Sequence, residues 1–137
     1  MAPRYLLDTN ICIYIRRRRP IEVLNRFLQM EAGETVLSVI TYGELVYGMV
    51  KQQSPPAPQA VEQLEEFTSL IGVMPLPDEA GQKYGEIRAN LETQGRTIGS
   101  NDLWIAAHAL SMNLILVTNN EREFRRVSAL KIENWTK

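Results

Sequence analysis

The chain has 137 residues, of which 45% are hydrophobic and 23% are charged, and both fractions are ordinary for a globular protein. This length predicts a single domain over residues 1–137 that can bury a substantial core. No apolar run approaches the roughly 20 residues that cross a bilayer, and the N-terminus does not resemble a signal peptide, so we expect a cytoplasmic protein without membrane contact. The formal net charge of −1 provides no overall positive field that would attract nucleic acid.

Cys12 and His108 are the only cysteine and the only histidine of the sequence. A single residue of each type excludes a zinc site, an internal disulfide and a Cys–His catalytic pair within this chain. Both are predicted to lie in apolar helices with packing roles. Any chemistry must therefore depend on carboxylates.

The first half of the chain alternates short apolar strands with helices. A strand at residues 5–7 precedes helices at 11–17 and 21–30, which Pro20 separates. A β-branched strand at 35–39 leads into a helix at 41–51. The Pro-rich stretch at 52–59 is too short to separate two domains and is typical of a connection between helices.

The second half continues the alternation. An amphipathic helix at 60–71 precedes a strand at 73–76, whose Pro75 indicates an edge position. Asp78 is predicted to cap a helix at 78–92, and a glycine-containing loop leads to a helix at 103–111. A continuously apolar strand at 114–117, a polar turn and a last strand at 130–132 follow. Strands separated by helices predict an α/β fold with a mostly parallel central sheet, in three α/β/α layers.

Acidic and amide side chains follow several of the predicted strands. Asp8 comes directly after the first strand, Glu44 lies one helical turn past the second, and Asn120 follows the strand at 114–117. Asp102 lies in the first turn of the helix that leads into that strand. Because ligands bind at the carboxyl edge of parallel sheets, we expect these side chains to converge there.

Each of these residues also has a local structural interpretation. The spacings Thr41-x-x-Glu44 and Asn120-x-x-Glu123 match capping boxes, in which the second side chain bonds back to the first residue's amide. Asp8 is an ordinary candidate helix cap, and Asp102 near a helix N-terminus is stabilised by the helix dipole.

Gathered carboxylates repel one another and raise one another's pKa unless a cation is present. The cation suited to oxygen ligands is Mg²⁺ or Mn²⁺, and the corresponding chemistry is metal-assisted hydrolysis of a phosphodiester.

Several motifs resemble those of one family. They are LLDTN at residues 6–10, TYGELVYG at 41–48, GSNDLWIAAHA at 99–109, LVTNNEREFRRV at 116–127 and LKIENW at 130–135. Together, in this order and over nearly the whole chain, they resemble the PIN-domain ribonucleases, specifically the VapC toxins of type II toxin-antitoxin pairs.

The resemblance implies a Mg²⁺-dependent endoribonuclease with a PIN-like fold that cleaves RNA, forms a homodimer and is inhibited by a VapB-type antitoxin in a larger complex. Asp8 and Asp102 would be the metal ligands, with Glu44 and Asn120 completing the catalytic group and Asn10 and Thr118 supporting it. The family often has a further acid where this chain has Asn120. The neighbouring Glu121 is a candidate to replace it.

The run Arg16, Arg17, Arg18 and Arg19 is a candidate contact for RNA or antitoxin, or a solvated helix end. Trp104 and Tyr47 are candidates for base stacking, although their helical spacing favours core or dimer packing.

Three other functions remain possible from the residues. A phospho-receiver domain would need an Asp at the end of a middle strand and a Lys after the last core strand, and the chain has Thr-Asn-Asn at the latter place. A PIN-like protein that binds RNA without cutting it, and a PIN nuclease of RNA processing outside a toxin pair, fit the same motifs.

Overall fold

Five short strands form one sheet at the centre of the fold. In the computed structural model, which describes residues 2–137, they are β1 Tyr5–Leu7, β2 Thr35–Ser38, β3 Val73–Met74, β4 Ile115–Val117 and β5 Ile132–Glu133. Their order across the sheet is β3-β2-β1-β4-β5, and every neighbouring pair is parallel. The predicted parallel sheet is confirmed, and so is the edge position of the strand that precedes Pro75.

Seven helices connect and cover these strands within the described residues. They are α1 Thr9–Arg17, α2 Ile21–Leu28, α3 Val39–Gln52, α4 Pro58–Ile71, α5 Asp78–Thr93, α6 Ser100–Ser111 and α7 Glu121–Phe124. The short α7 occupies a segment that the sequence predicts as a polar turn. The other helices match the predicted ones with ends shifted by a few residues. None of the helices described in residues 2–137 is both long enough and apolar enough to cross a membrane.

An apolar core lies on each face of the sheet. Alternate residues of β1 point to opposite faces, as the pleat of a strand requires. Leu7 packs in the core formed with α1, α2, α3 and α4, where Phe67 is also buried. Leu6 packs in the opposite core, together with Leu103 and Ile105 of α6 and with side chains of α5 and α7. The two cores confirm the three-layer α/β/α arrangement.

The helix starts differ from the predicted ones in ways that affect the acids. Ser38 caps α3, because its Oγ accepts a hydrogen bond from the Ile40 amide at 3.1 Å. Thr41 is therefore buried inside the helix, and the capping box predicted for Thr41 and Glu44 is wrong. Glu44 is free to face another partner.

Two further predicted caps are also wrong. Asn120 stands at the N-cap position of α7 but makes no capping bond with its side chain. Asp78 is the first residue of α5, and Pro77 occupies its N-cap position. Neither side chain satisfies the free amides of its helix.

The chain leaves β1, β2 and β4 at the same edge of the sheet, because the strands are parallel. Asp8 and Thr118 directly follow β1 and β4, Ser38 is the last residue of β2, and all three are buried. The chain passes from β1 to β2 on one side and later adds β4 on the other side of β1. Such a reversal of strand order opens a crevice at the carboxyl edge of the sheet.

The C-terminal segment closes the fold beside β1 and α7. Trp135 is fully buried, and its ring lies edge-on to Tyr5 with 5.5 Å between the ring centres. Its indole nitrogen donates to Glu133 Oε1 at 3.0 Å, and Arg26 of α2 donates to the same oxygen at 3.0 Å. These contacts fix the last residues against the sheet.

Candidate active site

Asp8 is both a helix cap and a buried acid at the carboxyl edge of the sheet. Its Oδ1 accepts a hydrogen bond from the Ile11 amide at 2.9 Å, which starts α1 two residues earlier than predicted. The residue is only 6% exposed. The pKa of Asp8 is raised from 3.8 to about 6, mainly by burial and also by the nearby charges of Asp102 and Glu44.

Thr118, at the end of β4, supports Asp8. A hydrogen bond from the Thr118 side chain lowers the pKa of Asp8 and so opposes the effect of burial. The oxygen of the same hydroxyl accepts a hydrogen bond from the backbone amide of Asn120 at 2.9 Å. Thr118 therefore links the first acid to the loop after β4.

Glu44 points from α3 toward α1 and α6. Its Oε1 accepts a short hydrogen bond from the Thr9 hydroxyl, and its Oε2 accepts one from Asn101 Nδ2 at 3.3 Å. Thr9 and Asn101 flank Asp8 and Asp102 in the sequence. The side chain of Glu44 is thus held toward the two aspartates by residues next to them.

Asp102 lies in the first turn of α6, as predicted, and is partly buried. The pKa of Asp102 is raised from 3.8 to about 6, mainly by burial and then by the charges of Glu123 and Glu44. Carboxylates that raise the pKa of an acid in this way lie near it. Three carboxylates from α3, α6 and α7 therefore share this part of the crevice with Asp8.

Glu123 is the fourth acid of the group, although its spacing from Asn120 predicts a capping box. Its Oε2 accepts a hydrogen bond from Asn120 Nδ2 at 3.0 Å, so the two side chains bond to each other rather than to the helix backbone. The side chain of Asn120 therefore holds the side chain of Glu123 in place.

Glu121, the candidate replacement for a missing acid, is paired with basic side chains instead. Arg125 Nη2 lies 2.7 Å from its Oε1, and Lys137 Nζ lies 2.8 Å from its Oε2. Hydrogen bonds from Lys137 and Asn134 lower the pKa of Glu121 to about 2. Its charge is compensated by cations on the C-terminal side of α7.

Four carboxylates thus gather at the carboxyl edge of the sheet: Asp8, Glu44, Asp102 and Glu123. Within residues 2–137, however, no group of three or more histidine, cysteine or acidic side chains is arranged to hold a metal ion by itself. All four side chains offer oxygen atoms as ligands, and the pKa values of Asp8 and Asp102 are both raised to about 6. Mg²⁺ typically takes one or two carboxylates and fills its other positions with water, so this open set of hard donors suits it.

Comparison with known proteins places the chain in a family. The sequence pattern of the PIN domain matches residues 5–130. The chain is 48% identical to Ribonuclease VapC2 of Haemophilus influenzae, over 96% of this chain and 98% of that protein. The chain belongs to the VapC-type PIN-domain ribonucleases.

Other VapC-type proteins agree in sequence and fold. The tRNA(fMet)-specific endonuclease VapC of Shigella flexneri is 44% identical, over 97% of this chain and 98% of that one. The solved VapBC-1 structure from nontypeable Haemophilus influenzae superposes with a TM-score of 0.87 at 40% identity, covering 97% of this chain and 98% of that one. VapBC2 of Rickettsia felis, solved with a DNA fragment from its promoter, gives 0.84 at 36% identity, covering 96% and 98%.

In the first turn of α1 of this VapC-type chain, Thr9 contacts an acid of the site, whereas the sequence pointed to Asn10. Asn10, the predicted supporting residue, is exposed, and within residues 2–137 it forms no hydrogen bond with the four carboxylates. Thr9, one residue earlier, contacts Glu44. The prediction for Asn10 as a supporting group stays a prediction.

The basic run lies away from the acidic edge. Arg16 is eight residues beyond Asp8, which corresponds to about 12 Å along α1. Its guanidinium stands over the ring of Phe67, with 5.7 Å to the ring centre. Residues 16–19 are all exposed, so contact with RNA or antitoxin at this end of α1 stays a prediction.

The two candidate stacking residues differ in their surroundings. Trp104 lies against Tyr84 of α5 in a parallel stack, with 3.9 Å between ring centres. Tyr47 is 65% exposed and lies under the Lys51 ammonium, so Tyr47 is not a core residue, and its packing in a dimer stays a prediction.

His108 is fully buried in α6, as its apolar surroundings predicted. Its Nδ1 lies 2.9 Å from Ser38 Oγ, and its Nε2 has no hydrogen-bond partner in the described residues. Burial lowers the pKa of His108, so the neutral ring is favoured. The contact joins the start of α3 to the helix that carries Asp102, and Cys12 is likewise buried in its helix.

Proposed function

We propose that this VapC-type chain is the toxin of a type II toxin-antitoxin pair and hydrolyses RNA with Mg²⁺, for which Mn²⁺ can substitute. The observation that carries the proposal is the buried Asp8, with its pKa raised to about 6, beside Asp102 and Glu44 at the carboxyl edge of a PIN fold. Uncompensated carboxylates in a crevice favour a divalent cation, whose charge removes their repulsion.

Asp8 and Asp102 would hold the cation, because both lie at the edge and neither is paired with a basic side chain among the described residues. When bound, the cation supplies a Lewis acid for the phosphate and for the attacking water. The water oxygen forms a bond to phosphorus, the bond from phosphorus to the leaving ribose oxygen breaks, and a proton from the water passes to that leaving oxygen through the acidic group.

In this proposal Glu44 orients the water and accepts its proton. Each of its oxygens accepts one hydrogen bond, from Thr9 or from Asn101. A carboxylate oxygen can accept two, so each oxygen retains a position for water. The hydrogen bonds fix the side chain before substrate arrives, which favours a productive geometry.

Transfer RNA is the substrate class with most support. The relative from Shigella flexneri is named a tRNA(fMet)-specific endonuclease and is 44% identical to this chain. We therefore propose initiator tRNA as the first substrate to test. Single-stranded loops of such an RNA expose the backbone that a metal nuclease needs to reach.

A VapB-type antitoxin is the proposed protein partner, because the solved VapBC-1 and VapBC2 structures cover nearly the whole of this chain. We also propose a homodimer within the larger complex. One face of α3 exposes three apolar side chains, Val39 at 40%, Tyr47 at 65% and Val50 at 37%, which is unusual for a solvated helix face.

Cleavage of purified tRNA by the purified chain tests the function. The reaction should proceed in Mg²⁺, stop in EDTA and recover when Mn²⁺ is added. Asp102→Asn should reduce the rate by at least about a hundredfold and preserve the fold, because it removes a carboxylate without changing side-chain volume. If the chain binds tRNA without cutting it in any of these conditions, the protein is an RNA-binding relative. Wild-type rates for the variant would refute the assignment of Asp102.

A further inference from the structure

The two glutamates of the acidic group are each bonded to an asparagine. Asn101 Nδ2 donates to Glu44 Oε2 at 3.3 Å, and Asn120 Nδ2 donates to Glu123 Oε2 at 3.0 Å. The two pairs come from different parts of the chain, α6 with α3 and the β4 loop with α7. The same donor group on both glutamates is therefore a shared feature of the site.

Each asparagine also belongs to a segment that fixes one of the aspartates. Asn101 immediately precedes Asp102 in the first turn of α6. The backbone amide of Asn120 bonds to Thr118, whose side chain bonds to Asp8. A glutamate held by either asparagine is thereby kept at a fixed place relative to an aspartate.

Glu121 provides a contrast within the same short helix. It is two residues from Glu123, but its oxygens lie 2.7 Å and 2.8 Å from the cationic groups of Arg125 and Lys137. The charge of Glu121 is therefore compensated by the protein itself. The charge of Glu123 is not, because its bond comes from a neutral amide.

The distinction matters for binding a cation. A lysine or arginine beside a carboxylate fixes its position but removes the negative charge that attracts a metal ion, and it competes with that ion. A carboxamide fixes the position through an N–H donor and carries no charge. Groups behind a ligating carboxylate contribute in this way to metal affinity.

We propose that Asn101 and Asn120 are positioning residues that hold Glu44 and Glu123 beside Asp102 through neutral hydrogen bonds, so that the crevice keeps its full charge for a divalent cation. This inference rests on the proposed metal-dependent function of the same site. The two asparagines position the acids, and the carboxylates alone contact the cation.

Replacement of each asparagine by leucine tests the proposal, since leucine keeps the branched shape of the side chain and lacks the donor. Binding of Mn²⁺ is measured directly from the electron paramagnetic resonance signal of the free ion, and tRNA cleavage is measured against Mn²⁺ concentration. Asn101→Leu and Asn120→Leu should each raise the half-saturating Mn²⁺ concentration by about tenfold in both measurements. Asn90→Leu is the matched control, because Asn90 bonds to Gln94 on an exposed face of α5 and should change neither value.

Two further variants separate the neutral donor from a purely structural role. Asn101→Gln keeps the carboxamide and should recover part of the lost affinity. Asn101→Lys keeps a donor but adds a cation, so it should bind Mn²⁺ more weakly than Asn101→Leu. Thermal unfolding in EDTA should leave Asn101→Leu close to wild type, because the side chain of Asn101 is exposed.

Wild-type Mn²⁺ affinity in both leucine variants, or wild-type affinity in Asn101→Lys, would overturn the proposal and leave the proposed function intact. A wild-type chain that binds Mn²⁺ but cuts no RNA would remove the proposed function, and the binding measurements would still decide the role of the asparagines. A wild-type chain that binds no Mn²⁺ would overturn both.

Discussion

Replacement of Asp8 by asparagine separates the two tasks of this residue, because an amide can cap a helix but carries no charge. The retained oxygen can still accept the bond from the Ile11 amide, which is 2.9 Å long in the wild type. We therefore expect Asp8→Asn to keep the fold, to lose RNA cleavage and to unfold at higher denaturant concentration than wild type near neutral pH.

The magnitude follows from the pKa of Asp8, which rises from 3.8 to about 6 on folding. At about 1.4 kcal/mol per unit, the ionised side chain costs the folded state about 3 kcal/mol. The variant avoids this cost but loses the bond from Thr118, which contributes about 1 kcal/mol. The expected net gain in the free energy of unfolding is about 2 kcal/mol.

The sign of the pH dependence is fixed by the direction of the shift. Between pH 3.8 and about 6 the folded chain holds the proton of Asp8 while the unfolded chain has released it. Wild type therefore loses stability as pH rises through this window, and the variant does not share this loss. Above pH 6 the free energy of unfolding of the variant should exceed that of wild type by about 2 kcal/mol. Below pH 3.8 the order should reverse, and wild type should be more stable by about 1 kcal/mol.

Urea unfolding of both proteins from pH 3.5 to 8 in EDTA measures this difference. Asp78→Asn is the matched control, since it makes the same change at an exposed helix start and should alter stability by less than about 0.5 kcal/mol. A variant less stable than wild type at pH 7.5, or a difference that does not change with pH, would refute the reasoning. Added Mg²⁺ should stabilise wild type, by about 1.4 kcal/mol at ten times its dissociation constant, and stabilise the variant less.

Three further results are expected. Ser38→Ala should destabilise the fold by about 2 kcal/mol in thermal unfolding, because it removes the cap of α3 and the partner of His108; a loss below about 0.5 kcal/mol would contradict this. Glu44→Gln should abolish cleavage without loss of stability, and a less stable variant that still cleaves at the wild-type rate would restore the capping interpretation. Glu123→Gln should lower cleavage strongly while Glu121→Gln preserves it, and equal rates for the two variants would reject Glu123 as the fourth acid.

The strands and their carboxyl edge could be predicted from the sequence because apolar runs and helix signals report local structure. The order of the strands places the residues after β1 and β4 side by side. The expectation that Asp8, Glu44 and Asp102 share this edge depended only on the direction of the strands. It required no knowledge of any side-chain conformation.

The errors concern residues whose role depends on side-chain partners. Thr9 was overlooked because the predicted helix began at Ile11, and the true start two residues earlier turns Thr9 toward Glu44. Glu123 was assigned to a cap because its spacing from Asn120 fits two different bonds. Spacing along α7 did not separate the two acids, since Arg125 lies four residues after Glu121 and Arg126 lies three residues after Glu123.

The position of the C-terminal segment has a consequence for the synthesis of this protein. The ribosome has made all four acids once residue 123 is complete, but the partners that fix α7 come last. Asn134 and Lys137 bond to Glu121, and Trp135 fills the space beside Tyr5. During synthesis, the four carboxylates therefore leave the ribosome before the residues that hold α7 in place.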